Sequence, residues 1–443
     1  MSNSLLKKIL LFCLLCQTAG FAQSPFVRVS GHSFYRDGAS YRYIGTNYWY
    51  GVLLDGVNGE KGRERLKKEL DFLQQQGINN LRVFVGAEGV ADNAFRVPYS
   101  IQPTEGKIDQ KYLRSLDYFL AEIDKRKMTA VLFLTNNWDW SGGMIQYLKW
   151  NGYPAPPSQS TNYGQTGSGN GKSYWDLLKE YTTQFYNCNA CQLALDQYIK
   201  VILSHKNVVN GKLYKEEPAI MAWEIANEPR PMEMSNIVPF QNWISHVASY
   251  IKSIDNNHLV TTGSEGSIAY DNDMGAFTTT HQDKNIDYLT IHIWPKNWQW
   301  FSDTSIYKSY TNIIANTKTY IDQHVAVAEK LNKPLIIEEF GLPRDLHKFA
   351  QGTTTHNRDN YYQYIFKAFE NSAANNGVIA GVNFWGMGGF AQNDPKGHIW
   401  VPGADFTCDP GTEEQGLNSV FASDASTWRV ISGAAKTISI TKK

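Results

Sequence analysis

The stretch "AIMAWEIANEPRP", residues 219–231, runs from apolar residues into a glutamate, an amide and a proline. Its first seven or eight residues read as a strand over 220–226, buried on both faces, because the apolar side chains do not alternate with polar ones. Pro229 has no backbone N–H and cannot extend a hydrogen-bonded ladder, so the strand must end before it. Asn227 and Glu228 therefore stand at the strand exit.

Working outward, seven more apolar runs of this kind occur at 43–46, 80–85, 129–134, 259–262, 288–293, 334–340 and 379–385. Most are followed by helical patterns such as "GRERLKKELDFLQQQG", "DQKYLRSLDYFLAEIDKRK", "LALDQYIKVILSHK" and "YYQYIFKAFENSAANNG", with apolar residues three and four apart. Eight strand–helix units in series predict an α/β fold, a (β/α)8 TIM barrel. Such a barrel typically needs ~250 residues, and this chain has 443. The surplus is assigned to long βα loops. The longest follows the third strand, "NWDWSGGMIQYLKWNGYPAPPSQSTNYGQTGSGNGKSYW", and is expected to wall a binding cleft, since βα loops build the working face of a barrel. No linker divides the chain, so 23–443 is read as one catalytic domain.

The formal net charge is +0, which leaves no electrostatic footprint for nucleic acid or an anionic membrane. Aromatics make up 13% of residues, more than a core requires, and their flat faces suit sugar rings. At the start, Lys7 and Lys8 precede an apolar run and then Gly20-Phe21-Ala22. This is the pattern of a signal peptide over 1–22 cut after Ala22, which implies a secreted, periplasmic or cell-surface protein. No later segment reaches the ~20 apolar residues of a membrane span. Of the five cysteines, Cys188, Cys191 and Cys408 lie beyond the leader; "CNAC" could close a small disulfide, leaving Cys408 unpaired, and no second pair offers metal spacing.

A second strand also ends in acid, "KPLIIEEFG" at 333–341. In a barrel, Glu228 after strand four and a glutamate of strand seven share one end. Two carboxylates facing one cleft are the equipment for glycosidic bond cleavage, which needs no cofactor and no metal. Side chains alternate along a strand, so Glu338 and Glu339 are not expected both to face the cleft, and alternation alone does not say which one does. Glu224 shares the parity of Glu228 but lies deeper, where a paired structural role is expected.

"WEIANEPRP", "IIEEFG", "LRVF", "YLTIHIW" and "VNFWGMGG", together with "GTNYWYG", "LTNNWDWSGGMIQYLKW" and "QGLNSVFASDASTW", resemble in barrel order the signature segments of glycoside hydrolase family 5, more closely its endo-β-1,4-mannanases. The resemblance implies Glu228 as acid/base and Glu339 as nucleophile. It further implies substrate-site positions for Asn227, beside the sugar 2-hydroxyl; Arg82, holding the nucleophile ionised; Arg230, on the leaving-group side; His292 and Trp294, after strand six; and Trp385, as the platform under the sugar. The expected protein is a monomeric, secreted, retaining endo-β-1,4-mannanase of mannan, glucomannan or galactomannan. Other family 5 β-glycanases, such as cellulases and xyloglucanases, or an exo-acting mannanase would use the same residues. A non-catalytic sugar-binding barrel is the distant alternative.

Overall fold

A computed structural model describes residues 24–92, 96–154, 173–301 and 306–440. The leader expected over 1–22 lies outside the described residues. All eight expected strands are present: β1 Tyr43–Asn47, β2 Asn80–Phe84, β3 Thr129–Phe133, β4 Ile220–Glu224, β5 Leu259–Thr261, β6 Leu289–Ile293, β7 Leu335–Phe340 and β8 Ile379–Phe384. They form one parallel sheet in the order β5-β4-β3-β2-β1-β8-β7-β6. The barrel closes between β5 and β6 through Asp287 N to Val260 O at 2.8 Å and His292 N to Glu265 O at 3.0 Å.

Helices follow the strands as α1 Gly51–Gln75, α2 Gln110–Lys125, α3 Asn189–Leu203, α4 Ile237–Ile254, α5 Met274–His281, α6 Ile306–Leu331, α7 His356–Ala374 and α8 Ala425–Ile440. Their starts have chemical causes. Asp109 caps α2 by accepting from the amides of Lys111 and Tyr112, two donors with no intrahelical partner. Among the described residues, no helix is long and apolar enough to cross a membrane.

The barrel interior is layered. A three-stranded antiparallel sheet, Arg28–Ser30, Ser33–Arg36 and Ala39–Tyr41, plugs the floor. There Phe34 meets Tyr288 edge-on, and Val27, Met221 and Ile336 join them in one apolar cluster. Above it Asn383 donates to Asn80, and Asn80 to Thr129, so the middle layer is polar and hydrogen-bonded from strand to strand. The charged groups lie above that, at the C-terminal ends of the strands.

Two loops rise on this face. The segment after β3 carries helices Gly143–Trp150 and Tyr174–Thr182, the second opened by a reciprocal cap between Ser173 and Asp176. Residues 155–172 of the expected cleft wall lie outside the described residues, but both described flanks face the cleft through Trp138, Trp140, Tyr174 and Trp175. Trp150 instead packs edge-on against Tyr147. The second loop, between β8 and α8, is folded around buried Asp409, which accepts from the amides of Gly416 and Asn418 and from the Ser419 hydroxyl. The Cys188–Cys191 disulfide is formed at the start of α3, and Cys408 is free and buried.

The chain entering β4 is tied down by Asp117 of α2. It accepts from His205 Nε2 at 3.0 Å, the Tyr214 hydroxyl at 2.7 Å and the Val208 amide at 3.0 Å. Asp117→Ala leaves these donors unmet and is expected to cost about 2–4 kcal/mol, seen as a lower melting temperature. A melt identical to the parent would show that this cluster does not hold the entry to β4.

Candidate active site

Beyond β4 the chain keeps pairing with both neighbours. Ile225 N reaches Thr261 O, Asn227 N reaches Thr135 O and Glu228 N reaches Gly263 O, at 2.9, 2.9 and 3.0 Å. These bonds hold Glu228 in a left-handed conformation with φ 51°, a state that costs about 1–3 kcal/mol for a non-glycine residue and persists only where surroundings over-determine it. The turn aims the side chain across the barrel mouth. Gly263 makes the approach possible: with φ +77°, a Cβ there would sit 2.0 Å from Ala226 O.

The Glu228 carboxyl is held from two sides. His292 Nδ1 meets Oε1 at 2.7 Å, and Trp138 Nε1 donates to Oε2 at 2.5 Å. Asn227 has its amide fixed in turn, accepting from Arg82 Nη2 at 2.7 Å and donating to Asn136 Oδ1 at 3.1 Å.

Opposite, the exit of β7 departs from simple alternation. Ile291 of β6 pairs with Ile337, but the next residue, His292, pairs with Glu339, so Glu338 is the extra residue of a β-bulge. Ile336 points into the floor cluster, whereas Phe340 points outward against Tyr362 and Phe366 of α7. The parity switch between them turns both Glu338 and Glu339 toward the barrel interior, yet only Glu339 reaches the cleft. Glu339 lies on the cleft and accepts from Trp294 Nε1 at 2.9 Å and from Arg82. Glu338 lies beneath it, 3.6 Å from Arg82 Nε and 3.5 Å from His292 Nε2.

Arg82 is fully buried. Besides Glu339 and Asn227 it donates to Glu224 through Nε and Nη2, at 2.9 and 2.6 Å, and to Asn47 Oδ1 at 3.0 Å. Glu224 thus has the structural pairing expected of it. Arg82 and His292 are buried behind the two glutamates and do not line the cleft, Arg82 bonding Glu339 as the resemblance implies.

One oxygen each of Glu228 and Glu339 and one nitrogen of His292 lie within 4.8 Å of one another. That spacing would fit a divalent ion, but Arg82 already brings a fixed positive charge onto Glu339, so a hydrogen-bonded carboxylate pair describes the cluster better. Burial raises the pKa of both glutamates. At Glu339, raised well above the usual carboxylate range, the Arg82 charge and the Trp294 donor work against that rise, and at Glu228 the Arg230 charge, the Trp138 donor and Arg82 do the same. Burial lowers His292 to about 3, keeping it neutral, with Arg82 adding to the effect.

Asn227, Glu228, Arg230, Trp294, Glu339 and Trp385 all line a cleft of about 900 Å³. Arg230 forks onto Glu265 at 2.5 and 2.7 Å and lies over the rings of Trp138 and Trp175, 5.3 and 5.6 Å from their centroids. Sequence reasoning missed Glu265 and Glu413 as members of the site, set Glu338 aside in favour of Glu339, and left the role of Trp138 open. Glu413, from the loop after β8, turns a carboxyl into the cleft, pushed up to about 7 by burial and by Asp409. No periodic signal marks Glu265 or Glu413, because each reaches the cleft through loop conformation. Only the aromatic run "WPKNWQW" after β6, which supplies Trp298 and Trp300 to the wall, carried a compositional hint.

The family model described as "GH family 5 beta-mannosidase-like" matches residues 24–443. The chain is 28% identical over 381 residues to mannan endo-1,4-beta-mannosidase 4 of Solanum lycopersicum, covering 83% of this chain and 84% of the relative. It is 27% identical over 420 residues to mannan endo-1,4-beta-mannosidase 1 of Oryza sativa subsp. japonica, covering 92% and 84%. Among solved structures, a glycoside hydrolase family 5 mannosidase from Rhizomucor miehei superposes with a TM-score of 0.82 at 31% identity, covering 94% of this chain and 98% of that one.

The Arg82 fork cannot be reproduced by an ammonium group. Arg82→Lys is expected to leave at least one buried carboxylate unpaired and to cost on the order of 3 kcal/mol, read as a lower melting temperature. An unchanged melt would remove Arg82 from its central place.

Proposed function

The chain belongs to glycoside hydrolase family 5, and from that premise we propose that it hydrolyses β-1,4-linked mannans with retention of anomeric configuration. The observation that carries the mechanism is the approach of Glu228 and Glu339 to within 4.8 Å in unequal surroundings. Inverting glycosidases hold their carboxyls about 6.5–9.5 Å apart to seat a water between them, and retaining ones about 5–5.5 Å. Glu339, beside Arg82 and Trp294, attacks the anomeric carbon; Glu228 protonates the departing oxygen and then takes a proton from the water that releases the sugar. Asn227 binds the 2-hydroxyl, Trp385 supports the sugar ring, and Arg230 lies on the leaving-group side with Trp138 and Trp175.

The names of the plant relatives support β-mannan as the substrate and cutting within the chain as the mode. A second reading, release of single mannosyl units from chain ends, rests on the loop between β8 and α8. Its residues Pro410, Thr412 and Glu413 stand in the cleft, and the superposing Rhizomucor miehei enzyme is a mannosidase by name. Export fits the charged and apolar leader and the Cys188–Cys191 disulfide, a bond that persists in oxidising compartments. We read 23–443 as one catalytic unit.

Early products from mannohexaose and galactomannan separate the two modes: a ladder of oligosaccharides is expected, whereas mannose alone from the first minutes means end-on action. Equal activity on carboxymethylcellulose would overturn the substrate assignment. By NMR at early times the first product is expected to be the β-anomer. The two glutamates are separated by role. Glu339→Ala is expected to abolish turnover on every substrate. Glu228→Ala is expected to form the glycosyl-enzyme from an aryl mannoside with a good leaving group and then stall, with azide restoring turnover as a β-mannosyl azide. An α-azide from the Glu228 variant would reverse the roles.

A further inference from the structure

Behind the two glutamates, His292 Nε2 has no hydrogen-bond partner, and neither oxygen of Glu338 receives an N–H or hydroxyl donor, its one side-chain partner being another carboxyl, Glu224. His292 and Glu338 are neighbours, with Oε2 3.5 Å from Nε2. Buried polar groups are nearly always paired, and each orphan costs about 1–3 kcal/mol. These two adjacent groups are therefore best explained as one interaction.

Its polarity follows from the surroundings. Glu338 is faced by Glu224 from β4, Arg82 from β2, Tyr43 from β1, Tyr288 beside β6 and Glu339 on its own strand. The single guanidinium has its short contacts committed to Glu224 and Glu339 and approaches Glu338 only at 3.6 Å. Burial pushes the Glu338 carboxyl well above the usual range, and Glu224 adds to the rise by its charge and as a side-chain hydrogen-bond partner; both Glu224 oxygens, however, already accept from Arg82, whereas His292 Nε2 is unmet. His292 is faced by Arg82, Arg230, Glu224, Glu265, Glu228, Glu338 and Glu339, and burial keeps it neutral. A neutral imidazole has one donor and one acceptor, and Nδ1 points at Glu228 Oε1, 2.7 Å away.

We propose that Glu338 is a carboxylic acid whose proton faces His292 Nε2, fixing the ring as the Nδ1–H tautomer that donates to Glu228. Glu338 is then a positioning residue, acting on Glu228 through His292. No net proton moves along the chain. When Glu228 gives its proton to the leaving oxygen, the carboxylate left behind keeps the Nδ1–H bond, which favours that charged form. This consequence rests on the acid/base reading of Glu228; the tautomer itself does not.

The test measures both. Nitrogen-15 spectra of histidine-labelled enzyme, with the His292 signals assigned by comparison with His292→Gln, are expected to show Nδ1 protonated and Nε2 bare in the parent. They are expected to show the same in Glu338→Gln, whose amide also donates. Glu338→Leu is expected to let the proton populate Nε2. Nδ1 then accepts from Glu228, the protonated form is favoured, and the basic limb of kcat/KM against pH moves up by roughly one unit. In Glu338→Gln the limb is expected to stay in place. A protonated Nε2 in the parent overturns the proposal, as does a limb in Glu338→Gln that moves down by roughly one unit, the sign of a lost negative charge. So does a Glu338→Leu enzyme matching the parent in both readouts. Should Glu338→Leu fail to fold, the parent spectrum and the Gln pair decide. Failure of the acid/base reading appears separately, as a Glu228→Ala enzyme that still cleaves natural substrate while the tautomer pattern stands.

Discussion

A single buried guanidinium organises the working end of this barrel. Arg82 leaves β2 and binds Asn47 from β1, Glu224 from β4, Asn227 beyond β4 and Glu339 of β7. A charge taken out of water is costly unless its donors are matched, and this one is matched on every side. The arrangement has a cost in flexibility. None of the four partners can move without stranding a charge, so the distance between Glu228 and Glu339 follows from a network that neither of them dominates.

Around this fixed charge the backbone twice gives up regular geometry. Glu228 sits at φ 51°, and β7 inserts Glu338 as a bulge. Each departure sends a carboxyl where regular geometry would not send it. Without the bulge, Glu339 would follow Ile337 toward the helices. Without the left-handed turn, Glu228 would continue the strand direction instead of meeting His292 and Trp138. The strain is tolerated because neighbouring strands bond the same residues through Thr135 and Gly263.

The cleft walls are built by another kind of physics. Trp138 packs against Trp175 within the segment after β3 and Trp298 against Trp300 within the loop after β6, while the loop after β8 hangs on the hydrogen-bonded carboxylate of Asp409. The barrel supplies the reacting groups, and these loops decide how much of a sugar chain fits.

The sequence by itself determined the eight strands, to within one or two residues, because strands buried on both faces must be runs of apolar residues bounded by turns. It also determined that Glu228 and Glu339 share one end, because parallel strands of a barrel all point the same way. Arg82, Asn227 and Trp294 were legible through family resemblance. What only the tertiary structure decided was direction. A bulge is invisible in composition, so the inward turn of both Glu338 and Glu339 could not be read from "IIEEFG". Whether Arg82 and His292 touch the cleft or support those that do depends on depth within the barrel, which strand order does not encode. The contributions of Glu265 and Glu413 rest on loops whose shape is set by long-range hydrogen bonds, and no local pattern of residues records those.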